Sequence, residues 1–177
     1  EHPDWYHGRL AVIDPTTISP ILSGDPIRLR PCLVPRSLTL SRPDGAFAYV
    51  ACYGEDTIAL VGLAPDAAPA ERIAVAKDAG PAGSPVHGPS VVALSPDGAT
   101  LAFGNVLTRG IGFLDLTSKS VDPDKAPATA GRPVALAYSS DGAWLYAVTR
   151  EPAAVLRFGA AGEVRIVSSR RSIHTIE

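Results

Sequence analysis

Methionine is missing from all 177 positions, the first included. A chain without an initiator residue is expected to be a processed product or a piece of a longer protein, so export has to be argued from features other than a leader. Aromatic residues make up only 6% of the chain, and no apolar run approaches the roughly 18 residues of a membrane-spanning helix. Charge of either sign is in small excess: the formal net charge is −2, and Lys and Arg are scattered apart from Arg170–Arg171. That pattern leaves no basic footprint for nucleic acid, and the Arg pair reads as a solvated chain end. Helical periodicity of useful length is also absent.

Cysteine is scarce. Cys32 and Cys52 stand 20 positions apart. They read either as two buried thiols behaving as small hydrophobes or as a disulfide, which would imply an oxidising compartment. The sequence leaves both open. Neither belongs to a CxxC metal pair or a CxxCH haem attachment site, so no cofactor is expected in this chain.

What the chain does have is a phrase written three times. Pro35–Ser41–Asp44–Gly45–Ala46, Pro89–Ser95–Asp97–Gly98–Ala99 and Pro133–Ser139–Asp141–Gly142–Ala143 keep proline and serine six positions apart. Self-similarity at this scale makes each copy one supersecondary unit stacked on its neighbours. Apolar runs flank each Asp-Gly: residues 37–40 and 46–52, 91–94 and 99–105, 134–138 and 143–149. Asp-Gly between such runs predicts a β-hairpin, because glycine supplies the positive φ of the tight turn. A third run follows in each copy (57–61, 110–114, 155–158), and a fourth at 72–75 and 164–167. The middle fourth run is obscured within 120–128 by Pro123 and Pro127, which suit an edge strand.

Four short antiparallel strands per unit, with Asp-Gly spacings of 53 and 44 residues, predict an all-β fold of β-propeller blades. The longer interval is accounted for by residues 65–69 and by a Pro/Gly/Ala-rich loop at 77–88. The whole chain, 1–177, is expected to form a single propeller segment. Its parts are a partial blade at about 8–27, full blades at about 35–76, 89–128 and 133–168, and 169–177 as a possible start of the next. In the partial blade, residues 9–14 are expected as a third strand and 18–22 as a fourth. Three and a half blades leave exposed edges, so the segment is expected to be part of a larger propeller, or else its ends close a small ring or pair with another chain.

The phrase resembles the Tyr-Val-Thr-Asn type of propeller repeat: proline, inner strand, Ser-Pro-Asp-Gly, then Tyr-Val-Thr-Asn. The last element stands here as residues 49–52 (Tyr-Val-Ala-Cys), 102–105 (Ala-Phe-Gly-Asn) and 146–149 (Tyr-Ala-Val-Thr), and residues 95–98 match Ser-Pro-Asp-Gly in full. Val12-Ile13-Asp14, followed by Pro15 and two threonines, is similar to the family's third strand. The resemblance covers about residues 9–168. It implies an exported bacterial protein, periplasmic or at the cell surface. Relatives of this type include surface proteins, lactone hydrolases and the propeller subunits of quinone- or haem-linked amine dehydrogenases.

Residues that recur once per blade, such as Ser41, Ser95, Ser139 and the three Asp-Gly aspartates, read as turn formers, since a catalytic group is needed once per site. Tyr49, Phe103 and Tyr146, and Trp144 with Phe47, read as packing between blades. No Gly-x-Ser-x-Gly elbow is present. His2, Asp4 and His7 have a metal-compatible spacing but sit at a chain end, and no metal site is expected. The remaining candidates lie on loops at one mouth of the channel. Arg28, Arg30, Arg36, His87 and Arg132 are expected on connections into inner strands, and Glu55, Asp56, Arg109, Arg150 and Glu151 on connections between second and third strands. Arg36, His87 and Arg132, within two residues of the repeat proline, are expected to crowd the entrance. With Arg109 and Arg150 they would suit an anionic ligand, because guanidinium grips carboxylate or phosphate in a bidentate fork. The leading expectation is a non-catalytic binding or scaffold segment whose partner is another protein or another domain of its parent. The alternative is the propeller part of a periplasmic haem- or quinone-linked oxidoreductase, or of a lactonase-like hydrolase.

Overall fold

A computed structural model describes residues 7–14, 21–22, 26–64, 67–122, 126–159 and 164–169. Three full blades stand side by side as four-stranded antiparallel sheets. The first comprises β5 (Pro35–Leu40), β6 (Phe47–Cys52), β7 (Thr57–Gly62) and β8 (Glu71–Ala74). The second comprises β9 (Pro89–Leu94), β10 (Thr100–Asn105), β11 (Gly110–Asp115) and β12 (Ser120–Val121), and the third β13 (Arg132–Tyr138), β14 (Trp144–Arg150), β15 (Ala154–Gly159) and β16 (Val164–Ser169). Within each blade the strands pair in chain order. Strand β9 contacts β5 on one side and β13 on the other across the blades, which makes these the inner strands. The chain is thus a β-propeller segment.

The thrice-repeated phrase builds a serine–aspartate turn each time, one residue longer in the first copy, where Arg42 is inserted. Ser139 Oγ donates to Asp141 Oδ1 at 2.6 Å, while the N–H groups of Ala143 and Trp144 donate to Asp141 Oδ1 and Ser139 Oγ, each at 3.0 Å. Ser41–Asp44 and Ser95–Asp97 repeat the pattern. The glycine that follows has φ between 65° and 74° in all three copies, a conformation that side chains resist. Donation from the serine hydroxyl and then the backbone holds Asp97 and Asp141 below the usual carboxylate range.

Three apolar layers lie between sheets. Tyr49, Ile58, Leu101, Phe103 and Leu114 fill the first-to-second blade interface, and Ala102, Ile111, Leu145, Leu156 and Phe158 fill the second-to-third. Alternation along each strand sends one set of side chains to each face: the first and second blades bury both faces, whereas the third buries the face toward the second and leaves Val134 and Val148 exposed. Burial pushes the Tyr138 hydroxyl up to about 12, with the Asp97 charge adding to it. Phe47, expected in a blade interface, is instead 49% exposed. It is the first residue of β6 and the one residue of that strand that is exposed. Trp144 is partly buried and has the Arg157 guanidinium 4.0 Å above its ring.

The amino-terminal region departs from expectation. Strand β1 (His7–Leu10) pairs with β4 (Ile27–Leu33), and only two-residue β2 (Ile13–Asp14) and β3 (Ile21–Leu22) pair with each other. The run at 27–33 went unrecognised because Arg28, Arg30 and Pro31 interrupt its apolar pattern. Arg28 and Arg30, expected on a loop, therefore lie on a strand. Leu10, Leu29 and Cys32 of this small sheet pack on Val50, Ala59 and Val61 of the first blade. There Cys32 and Cys52 are joined as a disulfide, tying β4 to β6. In the second blade the fourth strand is only two residues long, supplemented by a bridge from Gly110 to Ala128. The strand expected near residues 172–176 lies outside the described residues.

Candidate functional site

Two cavities open among the loops at the end of the blades where the inner strands begin, and one short partition separates them. The partition is the backbone of residues 86–88 against residues 106–107. Val106 N–H donates to the Gly88 carbonyl at 3.1 Å, and Leu107 N–H to the His87 carbonyl at 3.0 Å.

Asp56 places this partition. Its side chain is fully buried, and its backbone adopts φ 51° in the turn before β7. The carboxylate accepts N–H groups from Gly80 (2.8 Å), Val86 (2.6 Å), His87 (3.1 Å) and Gly88 (2.7 Å). Burial works to raise its pKa, but the four backbone donors outweigh it and hold the carboxyl below its usual range. The Pro/Gly/Ala-rich loop at 77–88 has few backbone partners of its own and folds around this one anion. Glycine is required at 88, where φ is 62° and a Cβ would meet the Tyr53 ring at 2.7 Å.

The axial cavity, about 570 Å³, is lined by Arg36, Tyr53, Ser90, Arg132, Arg150 and Glu151, among others. Arg36 and Arg132 are placed by the first turns of β5 and β13, and Arg150 by the end of β14. The Arg36 guanidinium lies 5.1 Å from the centre of the Tyr53 ring, a cation–π arrangement. Arg132 Nη1 is 3.5 Å from Glu151 Oε2, both side chains being more than half exposed. Three arginines and a single carboxylate are thus among the lining residues. Such a lining concentrates anions and offers planar donors to carboxylate or phosphate.

The outer cavity, about 710 Å³, lies between the first and second blades. Ile73, Val75, Ile111 and Val121 contribute its apolar walls, and Asp78, His87, Asn105 and Thr108 its polar ones. His87 Nε2 lies 3.0 Å from Asp78 Oδ1, and His87 Nδ1 lies 3.4 Å from the Thr108 hydroxyl. Asn105 is buried, and its Oδ1 has no hydrogen-bond partner.

The expected entrance group is therefore split. Arg36, Arg132 and Arg150 come together at the axial cavity. His87 does not join them: Asp56 grips its backbone, and its ring lies in the outer cavity. Arg109 lines neither of these two cavities; it is exposed, with Nη1 3.5 Å from the Ala130 carbonyl. Of the acids expected at the mouth, Glu151 is there, Asp56 is buried in its clamp, and Glu55 is buried with Oε1 3.4 Å from Arg72. His2 and Asp4 lie outside the described residues. Among the described residues no group of three or more His, Cys, Asp or Glu could hold a metal ion. Sequence reasoning missed Tyr53, Asp78, Asn105 and Thr108. Asp78 and His87 bracket the longest Pro/Gly-rich loop, and that was the available signal for a built structure there.

No protein-family model matches the sequence, and no curated protein matches it. Solved structures do. Hydrazine synthase of Kuenenia stuttgartiensis superposes with a TM-score of 0.59 at 19% identity, covering 76% of this chain and 35% of that one. A putative 6-phosphogluconolactonase of Bacteroides uniformis gives 0.59 at 18% identity, covering 77% and 40%. U3-55K gives 0.59 at 18%, covering 79% and 40%. The chain spans well under half the length of these proteins. At such identities the likeness is one of fold, and it extends from enzymes to the WD40 repeats of RRP9.

Proposed function

We propose that this chain is the ligand-binding segment of an enzyme propeller of lactonase-like type and that it takes an anionic small molecule in its axial cavity. The observation that carries the reading is that Arg36, Arg132 and Arg150 all line this one cavity. Arg132 is the gripping cation, poised by Glu151 and released to the ligand when it arrives. Arg36 is held flat by Tyr53, so less side-chain freedom is lost on binding. A phosphorylated sugar acid or its lactone has the charge and size for a cavity of about 570 Å³. The likeness in fold to putative 6-phosphogluconolactonases supports a propeller of this class. The Ser-Asp-Gly turns, alike in all three blades, support the Tyr-Val-Thr-Asn subtype. The Cys32–Cys52 disulfide supports an exported, oxidising location.

Calorimetric titration of the chain with 6-phosphogluconate and with inorganic phosphate tests the reading. Saturable binding is expected, weakened roughly tenfold or more by Arg132→Ala, as loss of a charge-assisted hydrogen bond requires. It should also weaken with added salt. Absence of binding, or an Arg132→Ala affinity equal to wild type, would overturn it.

A second reading, binding or scaffolding toward another protein or a domain of the parent chain, is favoured by one observation. Leu38 and Leu40 on the first blade and Val134 and Val148 on the third are 39–51% exposed. Exposed apolar positions on sheet faces suit a protein partner. A cross-linking survey that recovers no contact through these faces counts against it.

A further inference from the structure

The outer cavity carries an arrangement that neither reading uses. Asp78, His87 and Thr108 form a chain of carboxylate, imidazole and hydroxyl along its wall, with separations of 3.0 and 3.4 Å. Their order has a chemical consequence. An ionised carboxylate only accepts, so the neutral ring carries its proton on Nε2 toward Asp78. That leaves the Nδ1 lone pair facing the Thr108 hydroxyl. A hydroxyl beside an imidazole base that is itself oriented by a third group is the general signature of an activated nucleophile, and such contacts are often loose before substrate binds.

The surroundings suit this use. His87 is only 12% exposed although it sits on a long loop, because Asp56 grips the backbone at 86–88. Thr108 is fixed from the other side, since the neighbouring Leu107 N–H bonds the His87 carbonyl. The cavity is mostly apolar, of about 710 Å³, within the range of small-molecule sites. Independently, Asn105 on the same cavity is nine-tenths buried and leaves Oδ1 without a partner. A hydrogen-bond donor on a ligand would satisfy it, an arrangement rare in a structure that has no ligand to receive.

We propose that Thr108, His87 and Asp78 form an acyl-transfer site that hydrolyses a largely apolar ester or lactone held in the outer cavity. Thr108 Oγ adds to the carbonyl carbon while its proton passes to His87 Nδ1. The ester C–O bond then breaks, and the departing alkoxide takes that proton. A water molecule attacks the Thr108 acyl ester, giving its proton to Nδ1. The Oγ–C bond breaks, Oγ recovers the proton, and the acid is released. Asp78 keeps the ring in the productive tautomer and acts as a positioning residue. The site stands on residues that do not line the axial cavity, so it survives failure of the anion-binding reading.

The test uses the intact chain with a fluorophosphonate probe, followed by peptide mass mapping, and p-nitrophenyl butyrate hydrolysis beside it. The adduct is expected on Thr108. It should vanish in Thr108→Val, persist in Thr108→Ser, and fall with ester hydrolysis roughly 100-fold or more in His87→Ala. Asp78→Asn should slow labelling, with Thr108→Ser in the same background restoring part of it. Circular dichroism melts check that each variant folds. If His87→Ala fails to fold, the Thr108→Val and Thr108→Ser pair decides alone. No adduct on wild-type Thr108, an adduct elsewhere, or equal hydrolysis by Thr108→Val overturns the proposal.

Discussion

The two cavities share a wall and have opposite chemistry. The axial one is lined by three arginines and half-exposed polar groups; the outer one is mostly apolar, with an imidazole held between a carboxylate and a hydroxyl. The difference follows from where each loop is anchored. The arginines sit at the ends of strands, where the repeat sets the backbone and leaves the side chain free to vary. The outer cavity depends on an insertion, the loop at 77–88, that the repeat does not supply and that Asp56 must organise. Sites at strand ends come from the fold, whereas sites on an insertion need their own clamp.

Breaking that clamp has the largest expected effect. Asp56→Asn leaves buried backbone donors facing an amide that accepts poorly and itself donates. At about 1–3 kcal/mol for each group left unsatisfied, a loss of roughly 2–4 kcal/mol is expected by chemical denaturation. Acid should do the same to wild type. Because the folded-state pKa of Asp56 is depressed, its contribution is present above the ordinary carboxylate range and is lost as pH falls through the lower, folded value. The variant's unfolding should lack that acid-sensitive component. Anion binding should suffer less than labelling of Thr108, since Asp78 and His87 of the outer cavity lie on the loop and none of the axial lining residues does.

Removing the disulfide sharpens the comparison from the other side. The Cys32–Cys52 link closes a loop of about 20 residues, and Cys32→Ser with Cys52→Ser should cost roughly 3 kcal/mol by denaturant titration. Cys52 directly precedes Tyr53, so the axial cavity should feel the change more than the outer one. Gly88→Ala acts on the partition itself. A left-handed backbone and a 2.7 Å approach to Tyr53 predict a loss of about 1–3 kcal/mol, read as a lowered melting temperature. The smallest effect belongs to Glu151→Gln. Freeing Arg132 from its carboxylate should tighten anion binding about threefold, in keeping with the modest worth of an exposed ion pair. Thr108 labelling should not change.

The blades were legible because they repeat. Three Asp-Gly turns and the apolar runs around them carry period and register together, and in the structure each turn uses the same serine and aspartate. Arg36 and Arg132 at the axial cavity were legible for the same reason, since their distance from the repeat proline places them at the start of inner strands, and Arg150 because it follows the second apolar run of its copy. His87 was misplaced by that logic. It too lies two residues from a repeat proline, but the Asp56 carboxylate reaches it from 31 positions away. Nothing local in the sequence announces such a contact. Strand β4 was missed because a strand carrying Arg28, Arg30 and Pro31 lacks the alternation by which strands are read. Its partner β1 lies at the far end of an intervening segment. The disulfide stayed open until β4 and β6 were seen to pack together.

The most direct test of the central claim is the affinity for 6-phosphogluconate, measured by calorimetry on wild type, on Arg36→Ala/Arg132→Ala and on His87→Ala. The arginine variant is predicted to lose binding by roughly 100-fold, about 2.7 kcal/mol, while His87→Ala keeps the wild-type value. Equal affinity in wild type and the arginine variant, or loss in the histidine variant alone, would contradict the account.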